Sequence, residues 1–368
     1  MNYFVSGALT ILIPLLLLER NLSIAEIGVI LSVFPIVFLF ARLIFAAFAD
    51  YVGWSRIYLY ANWPSAVGSI IIYYFANSTL IFLAGKIAEG LRESSYWAVI
   101  RTSIYDLAPL KAGKEAVKNN AVIWIGTAVG GAFIGLTIAY TGFSISLAIL
   151  AILSLLIGLP AMLLRKTKQQ VKTAKLREIL APLDPRGRGN LFWITSIALM
   201  FSSLTVYPLV TLLLPVFMAE HLGYGYITIG IIFLLFNALS ALGAHFASKR
   251  PVSLLRAVFL SATSLIASVF LASSGFAFVL VVVALALVRG FGVGFFEYSI
   301  IKVMKNPQNV CVDIGLIHVP MRIAEFASTL TAGFLVQALG YAPVFIIMGA
   351  CFIPYALIAL FVIKHKTK

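Results

Sequence analysis

Residues Ala84 to Arg101 read AGKIAEGLRESSYWAVIR and place Lys86, Glu89, Arg92 and Glu93 within eight residues of a chain that is 62% hydrophobic. On insertion scales a charge at the centre of a membrane helix costs about 2.5–3.5 kcal/mol, so four unrelieved ones oppose insertion by roughly 10 kcal/mol. Such a segment persists only where its charges face a partner or a water-filled cavity. The rest of the chain therefore reads as the scaffold that keeps this stretch in a membrane.

Composition agrees. At 368 residues, with a mean hydropathy of +1.04 and 11% charged residues, the chain is too apolar for a water-soluble domain and repeatedly shows apolar runs of spanning length. A net charge of +14 would suit a nucleic-acid partner, but the basic residues sit in alternate short loops, where membrane orientation accounts for them. No nucleic-acid partner is expected. The two cysteines, Cys311 and Cys351, supply neither a disulfide framework nor a metal site, and no cofactor is implied. Met1 to Leu18 lacks a basic start and runs straight into a spanning pattern, so no cleavable signal peptide is expected.

About twelve spans follow, all helical, because an open sheet edge cannot be satisfied in lipid. Labelled α1 to α12, their expected limits are 2–18, 24–48, 57–76, 79–108, 119–140, 143–164, 191–218, 224–247, 252–274, 276–301, 311–338 and 342–363. Ser23 with Glu26 has capping-box spacing at the start of α2, and Gly142 and Gly340 fall in tight turns. One set of loops carries Arg56, then Lys111, Lys114 and Lys118, then the basic run from Arg165 to Arg188, Lys249 and Arg250, Lys302 and Lys305, and the tail Lys364, Lys366 and Lys368; the other set has only Arg20. Both termini are therefore expected in the cytoplasm, in a cell inner (plasma) membrane.

The halves resemble each other at an offset of about 200 residues. LTILIPLLLLERNLSIAEIGVI from Leu9 parallels LVTLLLPVFMAEHLGYGYITIGII from Leu209, and FIGLTIAYTGF from Phe133 parallels TAGFLVQALGY from Thr331. Two six-helix bundles, residues 1–164 and 191–368, joined by a cytoplasmic linker over 165–190, are expected. Within the linker Leu176, Ile179 and Leu180 have helical spacing among basic residues, which reads either as an amphipathic segment on an anionic leaflet or as a solvated connection.

Ala46 to Arg56, AAFADYVGWSR, resembles the loop signature of the major facilitator superfamily: Asp50 and Gly53 match in spacing, Ala46 replaces a Gly, Tyr51 replaces a basic residue and Arg56 lies slightly beyond its usual place. Lys86-x-x-Glu89-Gly90 is similar to that superfamily's R-x-x-x-G motif with Lys for Arg. Gly126, Gly130, Gly131 and Gly135 resemble its glycine-rich antiporter motif, without the accompanying Pro. The resemblance implies an all-α fold of twelve membrane helices in two pseudo-repeats, with α1, α4, α7 and α10 around a central cavity. It also implies a gating loop of Asp50, Gly53 and Arg56 in which Asp50 binds the start of α11 near Asn309 to Asp313. The dipole at that helix end favours an anion; a simple turn-capping role for Asp50 is the alternative.

Counting about 1.5 Å per residue from Thr79 puts Lys86 roughly 10 Å deep and Glu89 to Glu93 near mid-membrane. At 100° per residue Lys86, Glu89, Glu93, Tyr96 and Trp97 share a broad face, and Arg92 points toward another helix. Two carboxylates one turn apart in a poorly hydrated cavity repel, so one is expected to hold a proton; a closed salt-bridge network with Lys86 and Arg92 is the alternative. Lys86 and Glu93 are the preferred working pair. In α10, Arg289 is an expected anchor for a carboxylate or phosphate, or else a partner of Glu93 or Glu297. On α11, Asp313, His318, Arg322 and Glu325 read as gate or structural residues, with His318 a candidate proton relay.

These residues point to a secondary transporter of a small organic solute, proton-coupled, with a slight preference for an anionic or zwitterionic substrate, acting as a monomer among membrane lipids. Multidrug efflux of lipophilic cations is the alternative. A membrane enzyme would place reactive acids or histidines on interfacial loops, and a receptor or scaffold would need a sizeable exposed domain; neither is present.

Overall fold

The computed structural model describes residues 1–107, 111–164, 175–249, 252–304 and 310–365; at 50, 101, 102, 105–107, 112, 113, 161, 164 and 310 it describes the backbone alone. Among the described residues every regular element is helical, and the helices sort into twelve rods in chain order. Here α1 spans Asn2–Glu19, α2 Ile24–Val52 and α4 Thr79–Leu107. Between them α3 runs through Trp54–Ile57, a π-helical turn over Tyr58–Asn62, and Trp63–Tyr74. Rod α7 likewise continues from Asn190–Pro208 through two π-helical turns to His221. Then come α8 (Tyr226–Ala247), α9 (Leu254–Phe270) and α10 (Gly275–Val303). Rod α11 is Val310–Ile317 followed by Val319–Leu339, and α12 is Tyr341–Ala350 followed by Phe352–Lys364.

The stretch Ala112–Leu155 is broken at Gly142 (φ 76, ψ 176) into α5 and α6, the latter extended by Gly158–Leu164. The same conformation recurs at Gly340 (φ 80, ψ 175) between α11 and α12. Both turns need a residue without Cβ, and both lie at equivalent positions of the repeat. At Ser23 the capping box forms: its hydroxyl accepts from the Glu26 amide, and the Glu26 carboxylate accepts from the Ser23 amide at 2.8 Å.

Seven stretches among the described residues are long and apolar enough to cross a membrane, and one of them, Lys114–Pro160, contains the Gly142 turn and so makes two passes. By these helices the protein is an integral membrane protein. Rods α3, α4, α9 and α11 are not among the seven: α9 has 17 residues, and Lys86, Glu89, Arg92 and Glu93 interrupt the apolar run of α4.

Two long seams join the halves, α2 against α11 and α5 against α8. Both depend on missing side chains at the end opposite the basic loops. A Cβ on Gly28 would lie 2.8 Å from the Thr329 carbonyl, and one on Gly333 would strike the Ile24 carbonyl. On the other seam a Cβ on Gly230 would lie 3.1 Å from the Gly131 carbonyl, and one on Gly135 would lie 2.6 Å from the Tyr226 carbonyl. Small residues let backbones meet where lipid offers no hydrophobic drive for association.

At the basic end, Leu176–Leu180 forms a short linker helix. Ile179 is buried in a cluster with Ala47, Phe192, Val312 and Leu316, Leu180 packs against it, and Leu176, Arg177 and Glu178 are exposed. The Tyr51 hydroxyl donates to the Glu178 carbonyl at 3.1 Å, and Arg188 pairs with Asp313 at 2.8 Å. The helix is thus docked on the protein by one face and open on the other.

Gly333→Leu is expected to separate α2 from α11, at the 1–3 kcal/mol typical of overpacking. The readouts are a lowered Tm and faster labelling of a cysteine placed at Leu212 by an impermeant thiol reagent; unchanged labelling would show that the seam does not close that end.

Candidate functional site

The four charges of α4 lie together inside the first half. Lys86 Nζ is 2.8 Å from Glu89 Oε2, one turn away, and Arg92 Nη2 is 2.9 Å from Glu93 Oε1. A longer contact of 4.0 Å links Arg92 to Glu89. Neutral donors complete the network: the Tyr73 hydroxyl of α3 donates to Glu89 at 2.7 Å, and the Ser6 hydroxyl of α1 donates to Glu93. Arg92 has no exposed surface; its Nη1 donates to the Asn2 carbonyl at 3.3 Å, and its own carbonyl accepts from Asn62 at 2.9 Å. Each carboxylate therefore has a cation and a hydroxyl donor, the condition under which buried ion pairs are tolerated.

The structure corrects two expectations. Lys86 does not pair with Glu93, because seven residues of helix separate them by about 10 Å while Glu89 is one turn away. Arg92 reaches another helix, as expected, at the Asn2 carbonyl of α1, and pairs with Glu93 as well. Tyr96 does not line the cavity; it packs edge-on against Tyr3 at 5.1 Å and beside Tyr58 at 6.0 Å. Relative to Lys86, Trp97 is rotated by only about 20° and Tyr96 by about 80°, so Trp97 faces inward instead.

The network forms one wall of a central cavity of about 330 Å³ lined by both halves. From the second half come Arg289 on α10 and His318, Arg322 and Glu325 on α11. Arg322 Nη1 lies 2.5 Å from Glu325 Oε2, and its guanidinium sits 3.8 Å from the ring centroid of Phe38 on α2. The helix break at His318 places its Nδ1 2.6 Å from the Ile314 carbonyl, which can only accept, so Nδ1 carries the proton. These three residues line the cavity. The rise that puts Glu93 at mid-depth also puts Arg322 about 18 Å from Val310, a count that would have found them.

Arg289 is held differently. Its Nη1 donates to Asn237 Oδ1 at 3.0 Å, and its guanidinium lies 4.6 Å from Trp124 of α5 and 5.3 Å from Phe236 of α8. Among the described residues no carboxylate comes within 4.0 Å of it. Glu297, eight residues further along α10, is buried and accepts from Asn120 at 2.8 Å, off the cavity wall. Four cations thus face three carboxylates around the cavity, an excess of one positive charge. Asn237, Trp124, Ser6 and Tyr73 were not legible as site residues, because neutral polar and aromatic side chains in apolar helices look the same whether they pack or bind.

Of the gating loop, Gly53 (φ 89) ends α2 and Arg56 is exposed at the start of α3. The Asp50 side chain and Asn309 lie outside the described residues. A Cβ on Gly315 of α11 would lie 3.9 Å from Ala46, so the loop's leading residue abuts α11. Among the described residues no group of three or more His, Cys, Asp or Glu side chains is placed to hold a metal ion.

A family model described as Major Facilitator Superfamily matches residues 1–306. No curated protein matches the chain. Among solved structures, the human organic anion transporter MFSD10 (TETRAN) is similar, with a TM-score of 0.73 at 14% identity over 97% of this chain and 96% of that one.

Double-mutant cycles read by thermal unfolding are expected to give coupling of about 1–3 kcal/mol for Arg92 with Glu93 and for Lys86 with Glu89, and below about 0.5 kcal/mol for Lys86 with Glu93. Strong Lys86–Glu93 coupling would contradict the pairing.

Proposed function

Because the chain belongs to the major facilitator superfamily and is a membrane transporter of that family, we propose that it carries a small organic solute by alternating access, coupled to protons, with a preference for anionic or zwitterionic substrates. The observation that carries this reading is the cavity: both halves line it, and three ion pairs and one further guanidinium meet there within an apolar shell. Rocking residues 1–164 against 191–368 about that point would expose the site to either side in turn.

Glu93 is the proposed proton carrier. It is held by Arg92 and by the Ser6 hydroxyl of α1, so protonating it releases a guanidinium and loosens α4 from α1 at one stroke. Glu89 is held more tightly, by Lys86, Tyr73 and Arg92 together. Lys86 and Arg92 then act as counter-charges, and Arg289 as the substrate-facing cation. Glu297, joined across the halves to Asn120, acts as a structural tie. The positive excess at the cavity wall argues against lipophilic-cation efflux, which needs the opposite sign. The basic loops favour cytoplasmic termini in a cell inner membrane, surrounded by lipid, and the lining of a complete cavity by one chain favours a monomer. Asp50, Gly53 and Arg56 remain the proposed gating loop, where the Ala46–Gly315 approach brings α2 and α11 together.

In proteoliposomes, Glu93→Gln is expected to abolish solute accumulation driven by a pH gradient while solute exchange at equal pH persists. Gradient-driven transport equal to the parent's would remove Glu93 from the coupling step.

A further inference from the structure

The charge pattern of the cavity is specific enough to name a substrate class, an inference that rests on the transporter reading above. We propose that the site takes an organic monocarboxylate with an apolar body, its carboxylate bound by Arg289, and that Asn237 and Trp124 are the residues that set this specificity.

Each of the other lining cations has its own carboxylate: Lys86 has Glu89, Arg92 has Glu93 and Arg322 has Glu325. At Arg289 the corresponding position is taken by an amide. Asn237 Nδ2 donates to the Phe233 carbonyl at 2.9 Å, which fixes the amide and turns Oδ1 toward the Arg289 Nη1. The guanidinium is thus oriented without being neutralised. Trp124 and Phe236 add ring contacts at 4.6 and 5.3 Å, which hold a cation but leave its edges open. Among the described residues nothing accepts from Nε or Nη2, and neither atom is sealed from the cavity. That edge offers two parallel donors, the geometry a carboxylate takes in bidentate fashion.

The rest of the ligand follows from what surrounds this edge. Val293, one turn along the same face of α10, lines the cavity together with Ile123 and Phe352, which gives the ligand's body apolar surface, and the polar groups between them, Asn120, Thr127 and Tyr355, are neutral. A second carboxylate would have to displace Glu89, Glu93 or Glu325 from its cation. At about 330 Å³ the cavity is at the small end of ligand sites. One acid group on a compact apolar body satisfies all three conditions.

The test is equilibrium binding to the full chain in nanodiscs, read by thermal shift and tryptophan fluorescence, so it requires neither flux nor a gradient. The probes are alkyl and aryl monocarboxylates of three to ten carbons, each beside its primary amide, its amine and the dicarboxylate of equal length. At least one acid is expected to bind about tenfold or more tightly than its three counterparts. Asn237→Asp, which is isosteric and places a carboxylate on Arg289, is expected to abolish that preference while amide binding stays measurable; Trp124→Leu is expected to reduce it several-fold. Equal binding of acids and amides across the panel overturns the proposal, as does a preference that survives both Asn237→Asp and Arg289→Gln. Should Arg289→Gln fail to fold, Asn237→Asp and Arg289→Lys decide, with unaltered selectivity in both counting as refutation. A selective acid that binds but is not transported in proteoliposomes counts against the transporter reading and leaves the binding assignment standing.

Discussion

A charge in hydrocarbon must have a counter-charge or a donor within reach, and the interior of this protein is arranged around that constraint. Four ionic side chains on about two turns of α4 would prevent insertion if left alone. They are accommodated because Lys86 and Glu89, and Arg92 and Glu93, close on each other and recruit Tyr73, Ser6 and Asn2 from α3 and α1. The helices around α4 are therefore not generic apolar rods. Rod α3 supplies a phenol and an amide at the depth where they are needed, and the first residues of α1 are buried because Arg92 needs the Asn2 carbonyl.

The same constraint explains how the halves are joined. The three lining ion pairs each close within a single helix, so none of them links one half to the other. Between the halves two guanidinium groups meet rings instead: Arg322 of α11 lies on Phe38 of α2, and Arg289 of α10 lies on Trp124 of α5. Trp124 and Arg322 hold equivalent places in the repeat, separated by the same 198 positions as Gly142 and Gly340. Breaking a buried ion pair costs about 3–5 kcal/mol, whereas a guanidinium–ring contact contributes about 0.5–2 kcal/mol. Halves that part and meet again, as in the proposed cycle, are better joined by the weaker contact. Hydrogen bonds also cross between the halves: Asn120, on the cavity wall, donates to Glu297 and ties α5 to α10, and the Cys311 thiol donates to the Ala98 carbonyl of α4 at 3.4 Å.

Much of this was legible in the sequence. The spans, the repeat, the turns at Gly142 and Gly340 and the capping box at Ser23 rest on apolar run length and on turn chemistry, which are local. The meeting of the α4 charges in one cluster followed from their spacing along the helix. What escaped was rotation and reach. Helical angle alone put Lys86 and Glu93 on one face, yet a side chain cannot span two turns when a partner waits at one. Tyr96 and Trp97 are adjacent, and a rotation of about 100° decides which of them meets the cavity. Asn237 carried no signal at all, because its importance lies in being an amide where a carboxylate would have neutralised Arg289.

That amide also bears on the direction of coupling. With every lining group ionised the cavity holds one positive charge, and protonating any one of its three carboxylates raises that excess to two. An anion at Arg289 then gains attraction of about 1–2 kcal/mol, taking a separation of about 10 Å and an effective dielectric near 20. Linkage makes the effect reciprocal: the bound anion raises proton affinity at the carboxylates by the same free energy. In the proposed mechanism proton and anion would therefore stabilise each other in one cavity and tend to occupy it together, which is the thermodynamic condition for moving both in the same direction. For a cationic substrate the sign reverses, and proton and solute would displace each other. The charge Asn237 leaves uncompensated thus connects substrate sign to coupling direction within a single site.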